Sequence, residues 1–273
     1  MSNIIDNLNK TTSFLRTFAP EAPEVGIILG SGLGNLATQI EIQAEVPYEQ
    51  IPHFPVSTVQ GHTGKLIFGK LGGKRIVAMA GRFHFYEGYS AEQVVYPIRV
   101  MKMLGIKCLL ISNAAGGVNP DFAVGDLMII NDHISFAIVN PLLGRNYDEL
   151  GPRFPDMSEP YSKALISSMK GIAAEAGIRV HEGVYFGVTG PTFETRAEYN
   201  LIKLAGADAV GMSTVQEAII AIHSGIPVAA ISVITDLGIR EEENVITHEE
   251  VLQAAREAEP KLTTIFTRLI ASL

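Results

Sequence analysis

Along the chain, short runs rich in β-branched residues alternate with stretches whose apolar residues recur at helical spacing. Runs at 25–29, 66–69, 76–80, 108–112, 127–131, 184–188 and 228–234 predict strands. Several are apolar at consecutive positions, so helices are expected on both of their faces. Leu71-Gly72-Gly73-Lys74, between two of these runs, reads as a hairpin. Ser90 with Gln93 forms a capping box that opens a helix over 91–104, and Gly105 supplies its stop. Thr247 with Glu250 opens the last helix in the same way, and Pro260 is expected to kink it. Further helices are predicted over 161–176, 194–204 and 214–224, each ending at or beside a glycine. No linker, low-complexity tract or fixed-period repeat interrupts the pattern. Residues 1–273 therefore read as one α/β domain, a central mixed β-sheet flanked by helices, with its chemistry on loops at the strand ends.

Composition narrows the partners. Apolar residues make up 47% and charged residues 18%, the balance of a folded protein with a large core. Twenty-one Lys and Arg against 29 Asp and Glu give a net charge of −8, which argues against neutralising nucleic-acid phosphates. Cys108 is alone, so neither an intramolecular disulfide nor a paired-thiol metal motif is available, and it reads as a buried thiol without function. The first ten residues lack the apolar stretch of a signal peptide, and the run at 228–234 is too short to span a bilayer. A soluble cytoplasmic protein is expected, with neither nucleic acid nor membrane as partner.

Six segments carry candidate chemistry. Gly30-Ser31-Gly32-Leu33-Gly34 follows the first strand and serves equally as a tight turn or a phosphate cradle; Asn35 stands where a dinucleotide fingerprint has its third glycine. In Gly81-Arg82-Phe83-His84-Phe85-Tyr86-Glu87-Gly88, Arg82 and His84 lie two apart on an extended loop and would face one way, suiting a phosphate or carboxylate. Asn113-Ala114-Ala115-Gly116-Gly117 exposes main-chain N–H donors. In Gly190-Pro191-Thr192-Phe193-Glu194-Thr195, Phe193 could stack on a flat ligand and Glu194 accept N–H donors from it, or Glu194 is simply an acid in the first turn of a helix. Gly211-Met212-Ser213-Thr214 opens a helix, as an anion site or with Ser213 as a plain N-cap. Asp236 leaves a buried strand, where an unpaired carboxylate would be costly, and His248 sits in the first turn of the last helix. Between them, 240–247 reads as a solvated loop and a candidate lid.

In this order, GSGLG at 30–34, GHTGKL at 61–66, GRFHFYEGY at 81–89, SNAAGG at 112–117, PRFP at 152–155, GPTFET at 190–195, GADAVGMST at 206–214 and THEEVL at 247–252 resemble the trimeric purine nucleoside phosphorylase family over nearly the whole chain. The resemblance implies an α/β phosphorylase fold, a homotrimer, and reversible phosphate-dependent cleavage of purine ribonucleosides or deoxyribonucleosides, with no cofactor besides the phosphate co-substrate. It assigns phosphate to Ser31, Arg82, His84, Ser213 and the main chain of Ala114. Tyr86 and the backbone of Met212 fall to the sugar, with His248 at its 5′-hydroxyl. Phe193, Glu194, Val210, Thr235 and Asp236 fall to the purine. Phe154 resembles the residue that reaches a neighbouring subunit's site, and His62 a flexible residue at the phosphate entrance. His84, Glu194 and Asp236 are the expected catalytic groups.

One position departs from the family pattern. The 6-oxopurine members usually carry Asn where this chain has Asp236; an amide donates to O6, which an ionised carboxylate would repel. The related 5′-methylthioadenosine phosphorylases carry Asp here but lack the acid and the histidine that this chain keeps as Glu194 and His248. The reading is a 6-oxopurine enzyme with some tolerance for adenosine. The alternatives are a methylthioadenosine or broad-specificity phosphorylase, a non-catalytic nucleoside-binding protein, and a dinucleotide-dependent oxidoreductase.

Overall fold

The structure is a computed structural model that describes residues 4–56, 64–238 and 247–273. Its elements run α1 (Ile4–Arg16), β1 (Val25–Leu29), β2 (Glu41–Pro47), β3 (Lys65–Leu71), β4 (Lys74–Ala80), α2 (Ala91–Leu104), β5 (Cys108–Gly117), β6 (Leu127–Ile134), α3 (Lys163–Glu175), β7 (Val180–Gly187), α4 (Arg196–Leu204), β8 (Ala209–Gly211), α5 (Val215–His223), β9 (Val228–Leu237) and α6 (His248–Ser272). The strands join in one mixed sheet ordered β2-β3-β4-β1-β5-β8-β7-β6-β9, and a further β5–β9 pairing turns its second half back on itself. Every residue of β1 is buried, as is nearly every residue of β9, which matches their unbroken apolar runs.

Local chemistry explains much of this path. Gly72 and Gly73 both take positive φ (57° and 79°) between Leu71 and Lys74, which face each other across β3 and β4; this is the primed turn that a two-residue hairpin favours. The capping boxes of Ser90 with Gln93 and of Thr247 with Glu250 are both formed, and Gly105 ends α2 in the left-handed region at φ 111°. Helix α6 continues through Pro260 as one element, its inner face held by buried Leu262, Ile265 and Phe266. Helices α3 and α4 are shorter at their starts than the sequence pattern suggests, because Ser162 and Thr195 cap them. One hydrophobic cluster runs from Leu8 in α1 to Ile270 in α6. No helix among the described residues is long and apolar enough to cross a membrane.

What positions the site is parallel pairing. Strand β1 runs parallel to both β4 and β5, and β5 runs parallel to β9. The carboxyl ends of these four strands therefore lie on one side of the sheet, and the loops that leave them converge there.

Candidate active site

At that convergence lies a cavity of about 530 Å³. The first loop supplies Ser31, the loop after β4 Arg82, His84 and Tyr86, and the end of β5 Ala114. Phe193 and Glu194 enter from the turn before α4, Val210 and Met212 from β8 and its exit, and Ser213 from the turn into α5. Thr235 and Asp236 come from β9, and His248 from the start of α6. All of these sequence-derived candidates line one cleft. Phe154 does not: it stands 87% exposed on the connection between β6 and α3, under the Arg153 guanidinium. His62 and, apart from Thr247, the candidate lid at 240–247 lie outside the described residues.

Arg82 is 1% exposed and held from two sides. Its Nε and Nη2 donate to the two carboxylate oxygens of buried Glu217 at 3.0 and 2.9 Å, a bidentate fork. Its Nη1 donates to the Ser112 carbonyl at 2.8 Å and to Ser213 Oγ at 3.2 Å. Glu217 stands in the first turn of α5, so one helix fixes the orientation of the guanidinium. Ser213 is not the N-cap of α5: Thr214 occupies that position at φ 69°, and Asn113 Nδ2 donates to its hydroxyl at 2.8 Å. A β-branched residue in that region is strained, and the residue before it carries the hydroxyl that accepts from Arg82.

His84 is buried, and its main-chain N–H donates to Glu87 Oε1 at 2.7 Å, with Nδ1 at 3.1 Å from the same oxygen. Burial pushes the imidazole below its ordinary value of 6.5, against the pull of Glu87. The neutral ring, with its proton on Nδ1, then donates a hydrogen bond to Glu87, which fixes the tautomer. Tyr86 stacks on the same imidazole at 4.7 Å, and burial pushes its phenol up to about 12.

Two carboxylates, Asp236 and Glu194, line the same cleft. Between Ala115–Gly116 and Ile234–Asp236 the β5–β9 register slips by one residue, leaving Thr235 as the extra residue of a bulge. Such bulges re-aim side chains beside active sites. Here the Thr235 hydroxyl donates to Asp236 Oδ1 at 3.1 Å, and the Asp236 carboxylate is buried. Glu194 precedes the cap of α4 rather than lying in its first turn, so it faces the cavity. Burial, reinforced by the nearby Asp236 charge, pushes the Glu194 carboxyl above its ordinary value. Phe193, 43% exposed, forms an aromatic wall beside it.

Three residues without an assigned role in the sequence stand out: Glu217 behind Arg82, Glu87 behind His84, and Tyr199 beside Glu194 and Asp236. Glu87 lay within a singled-out motif; Glu217 and Tyr199 sit inside helices whose local pattern marks them only as an acid and a core aromatic. The glycine loop at 30–34 leads into a short 3-10 turn at 35–39, not into the α-helix a dinucleotide fingerprint opens.

A cleft that gathers a fixed guanidinium and two carboxylates at the carboxyl ends of parallel strands suits a reaction joining an anion to a molecule rich in N–H donors. The family described as the phosphorylase superfamily matches residues 24–271. Purine nucleoside phosphorylase 1 of Geobacillus stearothermophilus is 49% identical over 266 residues, covering 97% of this chain and 96% of its own. The Schistosoma mansoni purine nucleoside phosphorylase in complex with adenosine superposes with a TM-score of 0.92 at 42% identity, covering 98% of each chain. A schistosoma purine nucleoside phosphorylase in complex with hypoxanthine gives 0.93 at 41% identity, over 100% of this chain and 99% of that one. The chain belongs to the purine nucleoside phosphorylases of this superfamily.

Proposed function

We propose that the whole chain, residues 1–273, works as one domain that catalyses reversible phosphorolysis of purine ribonucleosides and deoxyribonucleosides, with inosine and guanosine preferred and adenosine tolerated. The observation that carries this reading is that the Arg82–Ser213 donor set and the Glu194–Asp236 carboxylates line one and the same cavity. Phosphate is held by Ser31, Arg82, His84, Ser213 and the Ala114 main chain. The neutral His84 accepts from the P–OH of hydrogen phosphate, while Arg82 takes its charge. Tyr86, the Met212 backbone and His248 hold the sugar, and Phe193, Val210 and Thr235 shape the base pocket.

A phosphate oxygen attacks the anomeric carbon as the bond to N9 breaks. The electron pair of that bond passes to the purine, and the phosphate proton is carried to the base through the cleft. Fixing phosphate behind the sugar removes most of the orientational cost. Donors aimed at the base, where negative charge grows, lower the barrier; losing one such donor typically costs on the order of 3 kcal/mol. Ionised Glu194 accepts N1–H of hypoxanthine or guanine. A protonated Asp236 donates to N7 or O6, and an ionised one accepts from a 6-amino group, which supports the second reading, a phosphorylase broad enough for adenosine or methylthioadenosine. Inorganic phosphate is the co-substrate and no cofactor takes part.

The active form is proposed to be a homotrimer acting in purine salvage in the cytoplasm, with neither nucleic acid nor membrane as partner. Phe136, Leu143 and Phe154, all more than 70% exposed on the connection between β6 and α3, support a subunit interface there, with Phe154 completing a neighbour's sugar site. Buried Cys108, whose thiol is pushed up to about 11 by burial, suits a reducing compartment. The test is base release from inosine, guanosine, adenosine and methylthioadenosine with and without phosphate. Phosphate-dependent release fastest from inosine or guanosine is expected; a clear preference for methylthioadenosine, or binding without turnover, would overturn the reading.

A further inference from the structure

Tyr199 lies on α4, four residues after its Thr195 cap, and its side chain is 4% exposed where it lines the cavity. Its ring belongs to a small apolar cluster with Val118, Phe186 and Ile202. The other face of the ring lies flat on Gly238: a Cβ added there would stand 2.1 to 2.4 Å from three ring carbons, so this position admits only glycine while the ring is in place. Gly238 is itself tied down by its N–H to the Gly117 carbonyl at 2.9 Å. The ring is thus clamped between a rigid strand end and a packed cluster, and its hydroxyl cannot retreat.

That hydroxyl is buried, and no acceptor among the described residues meets it at full hydrogen-bond geometry. It lies within reach of the Glu194 carboxylate and beside Asp236. A buried O–H without an acceptor is costly, and Glu194, which lines the same cavity, is the acceptor that would relieve it. We propose that Tyr199 is a positioning residue for Glu194: its hydroxyl donates to that carboxylate, so that Glu194 presents acceptor oxygens to the N1–H of a 6-oxopurine. The proposal rests on the functional reading above, which puts the purine edge against Glu194.

The chemistry sets the sign. Asp236 from β9 and Glu198 from α4 both face Glu194 with like charge and, with burial, favour its protonated form; the Tyr199 hydroxyl favours the ionised form. An ionised Glu194 accepts N1–H from hypoxanthine, whereas a protonated one donates to the bare N1 of adenine. Removing the hydroxyl therefore moves selectivity toward adenosine.

The experiment is the pH profile of kcat/KM for inosine and adenosine in the wild type and Tyr199→Phe, with calorimetric binding of hypoxanthine over the same pH range. In Tyr199→Phe the acid limb for inosine should move to higher pH, the inosine-to-adenosine ratio should fall about tenfold near neutrality, and KM for phosphate should stay put. In a Glu194→Gln background, Tyr199→Phe should move neither limb nor ratio. Parallel losses on both nucleosides with an unmoved limb would reduce Tyr199 to a packing role and overturn the proposal. A wild type that cleaves neither nucleoside would instead contradict the phosphorolysis reading. Even then, hypoxanthine binding with the same pH dependence in wild type and Tyr199→Phe, or no binding to either, would overturn the role given to Tyr199.

Discussion

Arg82 cannot hold an anion well unless its plane is fixed, and the two hydrogen bonds it donates to Glu217 fix it in a site with almost no solvent. A buried pair of this kind is weak evidence for stability, but breaking one partner leaves an uncompensated charge and typically costs about 3–5 kcal/mol. Glu217→Gln, which keeps one acceptor and loses the charge, is expected to raise KM for phosphate about tenfold with little change in KM for inosine. Steady-state kinetics with each substrate varied would show it, and an equal rise in both constants would contradict the positioning role. In the same cleft, Asp236→Asn supplies an amide that donates to O6, and the inosine-to-adenosine ratio of kcat/KM is expected to rise at least tenfold. An unchanged ratio would mean that this side chain does not meet the base. Of the residues that line the cleft, Ser31, Arg82 and His84 were legible because they stand on loops leaving apolar strands, and Val210 only through the motif resemblance. Their supports were not, because Glu217 and Tyr199 reach the cleft from helices whose packing only the tertiary structure reveals.

Among the elements, those with a strong internal signal were legible: β1, the β3–β4 hairpin, α2 with its serine cap, and the capped start of α6. Strand β2 was not, because it pairs only with β3 at the sheet edge and is exposed along most of its length, so its pattern is polar. Strand β8 is three residues long, too short for any periodicity, and the outer halves of β5 and β6 run through polar or small residues that read as loop. Helix α1 opens among asparagines, and its buried Ile4, Leu8 and Leu15 are widely spaced. The start of α4 matters most for function, because the reciprocal Thr195–Glu198 box sets where Glu194 leaves the chain path and where Tyr199 lands. Thr195→Ala is expected to cost about 1 kcal/mol, the usual value of a lost N-cap. Urea midpoints would measure it, and a substitution without effect on the midpoint would show that α4 is held by packing alone.

For the whole molecule, the closure of the sheet through β5 and β9 could not be read from the sequence, since it depends on one strand pairing with two partners far apart in the chain. It is also what brings Asp236 over Gly116 and so into the cleft that β5 helps to line. Stability should carry a matching pH signature. His84, His133 and His223 are all pushed below 6.5, in each case chiefly by burial. Above that value both folded and unfolded chains hold them neutral. As pH falls below it the unfolded chain takes up protons first, so unfolding becomes easier. Glu194 and Glu259, raised by burial, act with the opposite sign, gaining stability as pH falls through their raised values, and are outnumbered by the three imidazoles. Urea midpoints should therefore drop between pH 7.5 and pH 6, and a rise over that interval would contradict the assignment of neutral, buried imidazoles.

The account stands on phosphate and purine occupying one cleft at the same time, and a crystal structure of the enzyme grown with both phosphate and hypoxanthine tests this most directly. Phosphate on Arg82, Ser213 and His84, facing hypoxanthine on Glu194 and Asp236 across a gap that a ribosyl ring would fill, is the predicted result. Phosphate and base bound on unconnected surfaces would contradict it.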